Sequence, residues 1–296
     1  LGFGLGLLGR LGGVLAVFPP KPLAAGVPAR LRFRYDAPFF ERDSDNYWEL
    51  PLAGAWYPQP SALMVQARHG MRSVVRAKEP LLPIAPGRTI RRFEDGDWNG
   101  VEAAIDTAAP FHSIVAGRYT LFEETKGGVT ARVATYGLAK PMSAAKVLSL
   151  FHALREFYEP YFEPFPWAEY TIVEVNSYGF GQAPPGLMRI TREAFESNKF
   201  TGDLEAQVFS EGVNQRFAHE IAHAWWGGVV WNAQDADRWL VEAFAQMASA
   251  RALEMLKSEG DYDRLHRRWR ADAKEAASRA PIPLASELVA RAAPGA

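Results

Sequence analysis

The feature that most constrains the fold is a pair of histidines, His219 and His223, separated by three residues. In an α-helix, residues four positions apart lie on one face, about one turn from each other. Residues 216–226 contain no proline or glycine, so the sequence predicts an unbroken helix with both imidazoles on the same side. Two imidazoles arranged in this way can bind a single Zn²⁺.

Two glutamates complete a candidate metal site. Glu220 follows His219 directly and would stand beside the metal, where its carboxylate can accept a proton from water. Eighteen residues separate His223 from Glu242, which falls near the start of the next predicted helix. A return loop between the two helices can bring this carboxylate back to the imidazoles. We therefore expect His219, His223 and Glu242 to bind one Zn²⁺ per chain, with Glu220 as the general base.

Composition limits the other classes of function. The chain has 33 Lys and Arg against 34 Asp and Glu, a net charge of -1, so we expect no nucleic-acid partner. The absence of cysteine excludes disulfides, zinc–thiolate sites and cysteine nucleophiles. Residues 4–9 (GLGLLG) match the letters of a dinucleotide-binding fingerprint. No βαβ pattern follows them, so the sequence does not predict nucleotide binding.

Alternating apolar residues and turn residues indicate a β-rich first half. Residues 1–20 are apolar and rich in glycine, which favours strand and loop over a membrane-spanning helix. Residues 30–35 alternate charged and apolar side chains, the period of a half-buried strand. Residues 114–123 and 129–136 flank a Lys-Gly-Gly turn, so they predict a hairpin.

The pattern changes to helices and a few strands near residue 138. The spacing of apolar residues predicts helices over 144–158, from 204 to Gly227-Gly228, over 237–257 and over 262–279, and strands over 170–175 and 187–191. The sequence therefore predicts an α+β chain with a β-rich N-terminal domain at 1–138 and a second domain at 139–296.

Two runs of sequence resemble the aminopeptidase N type of gluzincin zinc metallopeptidase. Residues 219–227 read HEIAHAWWG and residues 239–245 read WLVEAFA. The family has the two-histidine motif, an aromatic pair with glycine, and then a Trp-Leu-x-Glu-Gly-Phe-Ala stretch, in which Ala243 replaces the glycine here. The resemblance is strongest over residues 204–258. The Trp-Tyr-Pro at 56–58 also resembles a segment of the family's N-terminal β-domain.

The resemblance implies a fold, a cofactor and a substrate class. It implies a partial N-terminal β-domain followed by a thermolysin-like catalytic domain that is truncated at its C-terminus. It implies zinc and the hydrolysis of peptides, with His219, His223 and Glu242 matching the zinc ligands and Glu220 matching the general base. We expect an extracytoplasmic or membrane-associated protein, with any membrane association carried by sequence upstream of residue 1.

The sequence departs from the family at two functional positions. Family aminopeptidases bind the substrate's α-amine through the Glu of a Gly-x-Met-Glu-Asn segment, and here Ala183 and Pro184 stand where Glu and Asn are expected. The second departure concerns the Tyr that stabilises the oxyanion, which the family places well downstream of the third ligand. Tyr262 is the only tyrosine after Glu242, and it lies too close to Glu242 in sequence to match. We expect the oxyanion-stabilising Tyr beyond residue 296. These departures leave open an aminopeptidase-like enzyme with altered recognition of the substrate N-terminus, an endopeptidase, or a catalytically silent zinc-containing module that binds peptides or a partner.

Aromatic and acidic residues around the motif suggest supporting roles. We expect the nearby tryptophans to pack the two ligand helices together; these are Trp225, Trp226, Trp231 and Trp239. Asp235 and Asp237 are candidates to hydrogen-bond a ligand imidazole, and helix capping is an equal alternative for Asp237.

Overall fold

The computed structural model of the chain describes fifteen segments. They are residues 2–6, 14–18, 24–36, 41–44, 46–50, 56–57, 61–62, 65–66, 68–109, 111–136, 141–175, 181–191, 213–232, 237–256 and 259–277. The strands of the described residues are β1 (Gly2–Gly6), β2 (Val14–Phe18), β3 (Glu41–Ser44), β4 (Tyr47–Leu50), β5 (Ser61–Ala62), β6 (Val65–Gln66), β7 (His69–Lys78), β8 (Leu82–Ile84), β9 (Arg88–Asp95), β10 (Trp98–Ala109), β11 (Ile114–Gly117), β12 (Tyr119–Lys126), β13 (Val129–Tyr136), β14 (Glu169–Val175), β15 (Gly181–Gln182) and β16 (Leu187–Thr191). The helices are α1 (Pro141–Tyr158), α2 (Val213–Ala222), α3 (Arg238–Leu256) and α4 (Glu259–Ala277). The chain is therefore α+β, as predicted.

Small antiparallel sheets make up most of the first half. β1 pairs with β2, which confirms strand structure in the glycine-rich start, and β5 pairs with β6. Two larger sheets have the strand orders β7-β10-β9 and β3-β4-β11-β8. All the pairings in these sheets are antiparallel, as short loops rich in proline and glycine allow.

Two strand predictions for the first half were wrong. Residues 30–35 alternate as a strand would, but they form none and most of their side chains are exposed, because no described strand pairs with them. Residues 114–123 form two strands, β11 and β12, in different sheets. Strand structure is interrupted between them at Arg118. At the preceding residue, a Cβ on Gly117 would lie 2.7 Å from the Tyr119 ring. A side chain at 117 would therefore have to displace the Tyr119 ring.

A five-stranded sheet contains the strands of the second half together with β12 and β13, in the order β12-β13-β14-β16-β15. The predicted hairpin forms between β12 and β13, and both turn residues, Gly127 and Gly128, have positive φ, as a type I′ turn requires. β14 runs parallel to β13 and to β16, whereas the edge strand β15 is antiparallel to β16. The sheet therefore joins strands on both sides of residue 138, and the domain boundary there stays a prediction.

The main hydrophobic core lies between this sheet and the helices. α1 packs on β12 and β13, and α2 packs on α1, β15 and β16. The largest fully buried core side chains come from α1, α2, β14 and β16; they are Phe151, Leu154, Tyr158, Tyr170, Ile172, Met188, Ile190, Phe217 and Ile221. Burying them stabilises the fold by roughly 1.5–3 kcal/mol for each aliphatic or phenyl side chain. The core therefore fixes α2, which carries the candidate metal site, against the sheet.

Most of the predicted helices and strands of the second half are confirmed. The strand at 187–191 coincides with β16, and the helices at 144–158, 237–257 and 262–279 correspond to α1, α3 and α4 within three residues at each end. The helix expected from 204 begins, among the described residues, at Val213, and 204–212 lie outside them. No helix among the described residues is both long and apolar enough to cross a membrane.

The helix that carries the histidines is shorter than predicted. α2 ends at Ala222, not at Trp226, because the N–H groups of Ala224 and Trp225 bond to carbonyls three residues back and not four. His223 lies just beyond the helix, yet its N–H still donates to the carbonyl of His219 at 3.3 Å. The two histidines therefore stay one turn apart.

Candidate metal centre

One buried face of α2 packs on the core and leaves His219 and the following His223 on a less buried side. Phe217, Ala218, Ile221 and Ala222 are fully buried, whereas the side chains of His219 and His223 keep 17% and 12% of their surface exposed. This division of the helix follows from the 3.6-residue period. The histidines therefore occupy the face that is open to a ligand.

Helix α3 brings the third predicted ligand to the two histidines. Oε2 of Glu242 lies 3.4 Å from Nε2 of His219 and 3.5 Å from Nε2 of His223. Trp226, in the turn after α2, stacks on Phe244 of α3 with ring centroids 4.5 Å apart. This aromatic contact helps to fix the turn against α3. The structure thus brings together side chains that eighteen intervening residues separate along the chain.

The converging atoms form a donor set suited to a metal ion. One ligand atom from each of His219, His223 and Glu242 lies within 4.8 Å of the others. Two imidazoles and a carboxylate are the protein ligands of many catalytic zinc sites, which keep the fourth position open. The two imidazoles hold the pKa of the Glu242 carboxyl well below its usual range, so it is ionised, as a ligand must be.

A backbone carbonyl orients one of the ligand imidazoles. Nδ1 of His223 lies 2.8 Å from the carbonyl oxygen of Trp226. Because a carbonyl can only accept, Nδ1 donates its hydrogen, and Nε2 keeps its lone pair on the side of His219 and Glu242. Trp226 thus takes for His223 the role suggested for Asp235 and Asp237. Asp235 lies outside the described residues, so an aspartate partner for a ligand imidazole stays a prediction.

Glu220 is buried beside the histidines and against the edge strand. Its side chain approaches Gly181 of β15 so closely that a Cβ on Gly181 would lie 2.5 Å from Oε1 of Glu220. Burial raises the pKa of the Glu220 carboxyl, and the nearby His223 and His219 act in the opposite direction. Burial, and then the charge of Glu220, raise the pKa of Tyr170. A carboxylate with a raised pKa is suited to proton transfer near neutral pH.

The segment that departs from the family pattern ends in a tight, buried turn after β15. Pro184 and Pro185 are buried, and the N–H of Leu187 donates to the carbonyl of Pro184 at 2.9 Å. Ala183 is half-buried and supplies no charge. No carboxylate therefore stands at the aligned position for a substrate amine.

A buried arginine next to this segment joins β15 and β16 to the first half of the chain. Arg189 of β16 donates from Nη1 to Oε1 of Gln182 on β15 at 2.8 Å. Its Nη2 pairs with Glu49 of β4, which also accepts a hydrogen bond from Tyr47. This ion pair ties the edge of the five-stranded sheet to the sheet of the first half.

The tryptophans near the motif pack in more than one place. Trp226 joins the ligand helices, as predicted. Trp225 packs instead against Tyr158 and the connector after α1, and its indole N–H donates to the carbonyl of Glu163 at 3.0 Å. Trp231 contacts Phe111. The expectation that all four tryptophans pack the ligand helices together was therefore wrong for Trp225, whose position depends on a partner distant in sequence.

Sequence reasoning missed two residues that touch this centre or its supports. One is Gly181, whose lack of a side chain makes room for Glu220. The other is Arg68, which bonds to the turn after α2. Neither carries a local signal, because each meets its partner through contacts between residues far apart in sequence.

Comparisons with known proteins agree with this centre. Residues 148–288 match the peptidase family M1 domain. The chain is 29% identical over 278 residues to human endoplasmic reticulum aminopeptidase 1, which covers 84% of the chain and 29% of that protein. It is 32% identical over 103 residues to leucyl aminopeptidase of Saccharolobus solfataricus, which covers 34% of the chain and 13% of that protein.

These relatives are much longer than the chain, which spans less than a third of each. The matched region contains His219 and Glu220 on α2, His223 directly after α2, and Glu242 on α3. Over residues 148–288 the chain is therefore similar to the peptidase family M1 domain, which agrees with the resemblance to the aminopeptidase N type of gluzincin metallopeptidase.

Proposed function

We propose that this chain hydrolyses peptide bonds with one bound Zn²⁺. The observation that carries the proposal is the meeting of His219, His223 and Glu242 beside the buried carboxylate of Glu220. A nitrogen-rich, convergent set of three ligands suits zinc better than magnesium or calcium, which prefer oxygen ligands. His219, His223 and Glu242 would hold the ion.

Each side chain of the centre has a distinct task in this proposal. When bound, Zn²⁺ supplies Lewis acidity toward a water molecule and the carbonyl of the substrate. Glu220 accepts the proton that the attacking water loses and delivers it to the leaving amine. The carbonyl of Trp226 keeps His223 in the tautomer that presents Nε2. Gly181 leaves space for the Glu220 carboxylate at the sheet edge.

We also propose altered recognition of the substrate N-terminus. Ala183 offers no anion for an α-ammonium group, and Pro184 and Pro185 lack the N–H groups that an extended substrate would use. Glu49, the carboxylate that reaches Arg189 of this strand pair, is held in an ion pair with it. These features support an aminopeptidase-like reaction in which the free amine contributes little to binding.

A catalytically silent zinc module is the second candidate. It is favoured by the position of Tyr262, whose ring packs against His266 and under the guanidinium of Arg251, 5.0 Å from its Cζ. Tyr262 is held between α3 and α4 in this way, and no contact in the described part of the chain joins it to Glu220 or to the candidate ligands. In this alternative the same zinc site orders a surface that binds peptides or a partner.

Two further expectations accompany the proposal. We propose a thermolysin-like catalytic domain built on residues 139–296 and a β-rich N-terminal domain within residues 1–138, with the β12–β13 hairpin of the first half completing the sheet of the catalytic domain. We also propose an extracytoplasmic or lumenal location, because the human and rat relatives are named endoplasmic reticulum aminopeptidases.

Metal content and peptide cleavage test the proposal together. Wild type and Glu242→Ala are dialysed extensively and their zinc is measured by mass spectrometry, with cleavage of a quenched fluorogenic peptide followed on the same samples. About one zinc per wild-type chain, lost in Glu242→Ala, supports the site. Cleavage by wild type and its loss in zinc-loaded Glu220→Gln support the enzyme. Zinc without cleavage favours the silent module, and wild type without zinc after loading overturns both.

A further inference from the structure

Arg68 connects the first half of the chain to the turn that follows the histidine helix. It lies directly before β7, and its guanidinium donates twice to the carbonyl of Ala108 on β10, from Nε at 3.0 Å and from Nη2 at 2.8 Å. The same guanidinium donates from Nη2 to the carbonyl of Gly228 at 2.9 Å and from Nη1 to that of Val229 at 2.5 Å. One side chain thus bridges residues separated by 160 positions in sequence.

The turn that Arg68 contacts is the one that orients His223. Within it, the N–H of Gly227 donates to the carbonyl of Val230 at 2.7 Å, and the N–H of Gly228 donates to the carbonyl of His223 at 3.0 Å. The carbonyl of Trp226, at the start of this turn, accepts from Nδ1 of His223. A shift of the turn would therefore move the oxygen that fixes the imidazole.

Arginine suits this position better than lysine. The guanidinium is planar and holds its donors in a rigid fork, so it can bond to carbonyls on two different segments at once. A lysine ammonium is a single point on a flexible stem, and it would satisfy one of the two segments at a time. The four hydrogen bonds of Arg68 use Nε and both terminal nitrogens.

We infer that Arg68 is a positioning residue for the metal centre, acting on His223 through the turn at residues 226–230. This inference rests on the proposed zinc site. Partners that orient a ligand histidine typically change metal affinity by 10- to 100-fold when they are removed. Because Arg68 acts one step further out, we expect Arg68→Met to weaken zinc binding about 10-fold.

The test compares three variants in the full chain. Zinc affinity is measured by competition with a chromophoric chelator, and the visible absorption spectrum of the Co²⁺-loaded protein reports ligand geometry. Arg68→Met removes the fork and Arg68→Lys keeps the charge. Arg88→Met is the matched control, because Arg88 pairs with Asp106 on the same strand, β10, and that pair involves no residue of the turn. All measurements are made at a temperature where the metal-free proteins are folded.

The expected results separate positioning from general stability. Arg68→Met weakens zinc binding about 10-fold and changes the Co²⁺ spectrum, Arg68→Lys lies between it and wild type, and Arg88→Met behaves as wild type. If Arg68→Met does not fold, Arg68→Lys and Arg68→Gln carry the same comparison. An affinity and spectrum in the Arg68 variants equal to wild type would overturn the inference while leaving the zinc site standing. Absence of metal from wild type would overturn both.

Discussion

Nδ1 of His223 lies 2.8 Å from the carbonyl oxygen of Trp226, three residues further along the chain. The imidazole of His223, a proposed zinc ligand, is therefore oriented by the turn that follows α2 and not by a carboxylate. The backbone of that turn has to adopt an unusual conformation, with φ of 112° at Gly227. The geometry of the candidate metal centre thus depends on a glycine that supplies no ligand atom.

Gly227→Ala should weaken both the fold and the metal site. Its φ disfavours any L side chain, and the new Cβ would lie 3.0 Å from Cγ1 of Val241 and 3.6 Å from Nδ1 of His223. We expect the free energy of unfolding to fall by about 1–3 kcal/mol, measured by denaturant titration of the metal-free protein. The zinc affinity should fall as well.

Gly96→Ala is the control for this prediction. Gly96 also has positive φ, but nothing lies within 4 Å of its Cβ position. It should lose stability through backbone strain and keep the zinc affinity of wild type. Equal zinc affinity in Gly227→Ala and Gly96→Ala would contradict the role assigned to the turn.

Gly181→Ala should reduce catalysis while leaving the metal in place. A Cβ at this position would lie 2.5 Å from Oε1 of Glu220, so the carboxylate has to move. Because misplacing a catalytic group by about 1 Å costs up to about 100-fold, we expect kcat to fall about 10- to 100-fold. Kinetics on zinc-quantified protein checks this. A variant that loses zinc instead of turnover would show that the strand supports the ligands and not the base.

Parts of this centre follow from sequence and parts do not. The four-residue spacing of His219 and His223 was enough to predict a shared helix face, because helical periodicity is a local property. The start of α3 at Arg238 was predictable, because Asp237, a residue type that caps helices, directly precedes it. The early end of α2 at Ala222 was not, because it depends on a change from four-residue to three-residue hydrogen bonds.

Less of the β-rich first half could be predicted from the sequence, because its structure depends on contacts between residues far apart in the chain. Residues 30–35 have a strand pattern and form no strand, since a pattern of alternation describes one face of a sheet and not the partner that must complete it. Arg68 looks like any basic residue between strands. Its four hydrogen bonds exist only after β10 and the turn after α2 have met, so no window of sequence contains the information.

Tyr158→Phe should destabilise the fold without altering the metal site. Tyr158 is buried, and its hydroxyl donates to the carbonyl of Ala218 on α2 at 3.1 Å. Loss of this hydrogen bond should lower the free energy of unfolding by about 0.5–1.5 kcal/mol, measured by denaturant titration. Tyr161→Phe is the matched control, because Tyr161 is 65% exposed and should change stability little. A tenfold change in zinc affinity in Tyr158→Phe would contradict this separation.

Acid should destabilise the first half through His112. Burial, and then the nearby His69, lower the pKa of His112 to about 4. A folded-state pKa below that of the unfolded chain means that the unfolded chain binds the extra proton between pH 6.5 and 4. The resulting stability is present above pH 6.5, falls by up to about 3 kcal/mol across this window, and changes no further below it.

His112→Phe checks the acid prediction. The variant has no imidazole to titrate at this position, so its free energy of unfolding should depend less on pH between 6.5 and 4 than that of wild type. Denaturant titrations at intervals across this range provide the comparison. Identical pH dependence in the two proteins would mean that His112 is not responsible.

The order of the five-stranded sheet determines how this chain can be shortened or exchanged between proteins. A fragment that begins at the family match, residue 148, would contain both ligand helices but would lack β12 and β13. It would leave one side of β14 unpaired, and the buried side chains of residues 170–175 would lose their cover on that edge. Recombination or gene fusion that preserves a working unit should therefore cut before Tyr119, so that the inherited module is longer than the stretch by which its family is recognised.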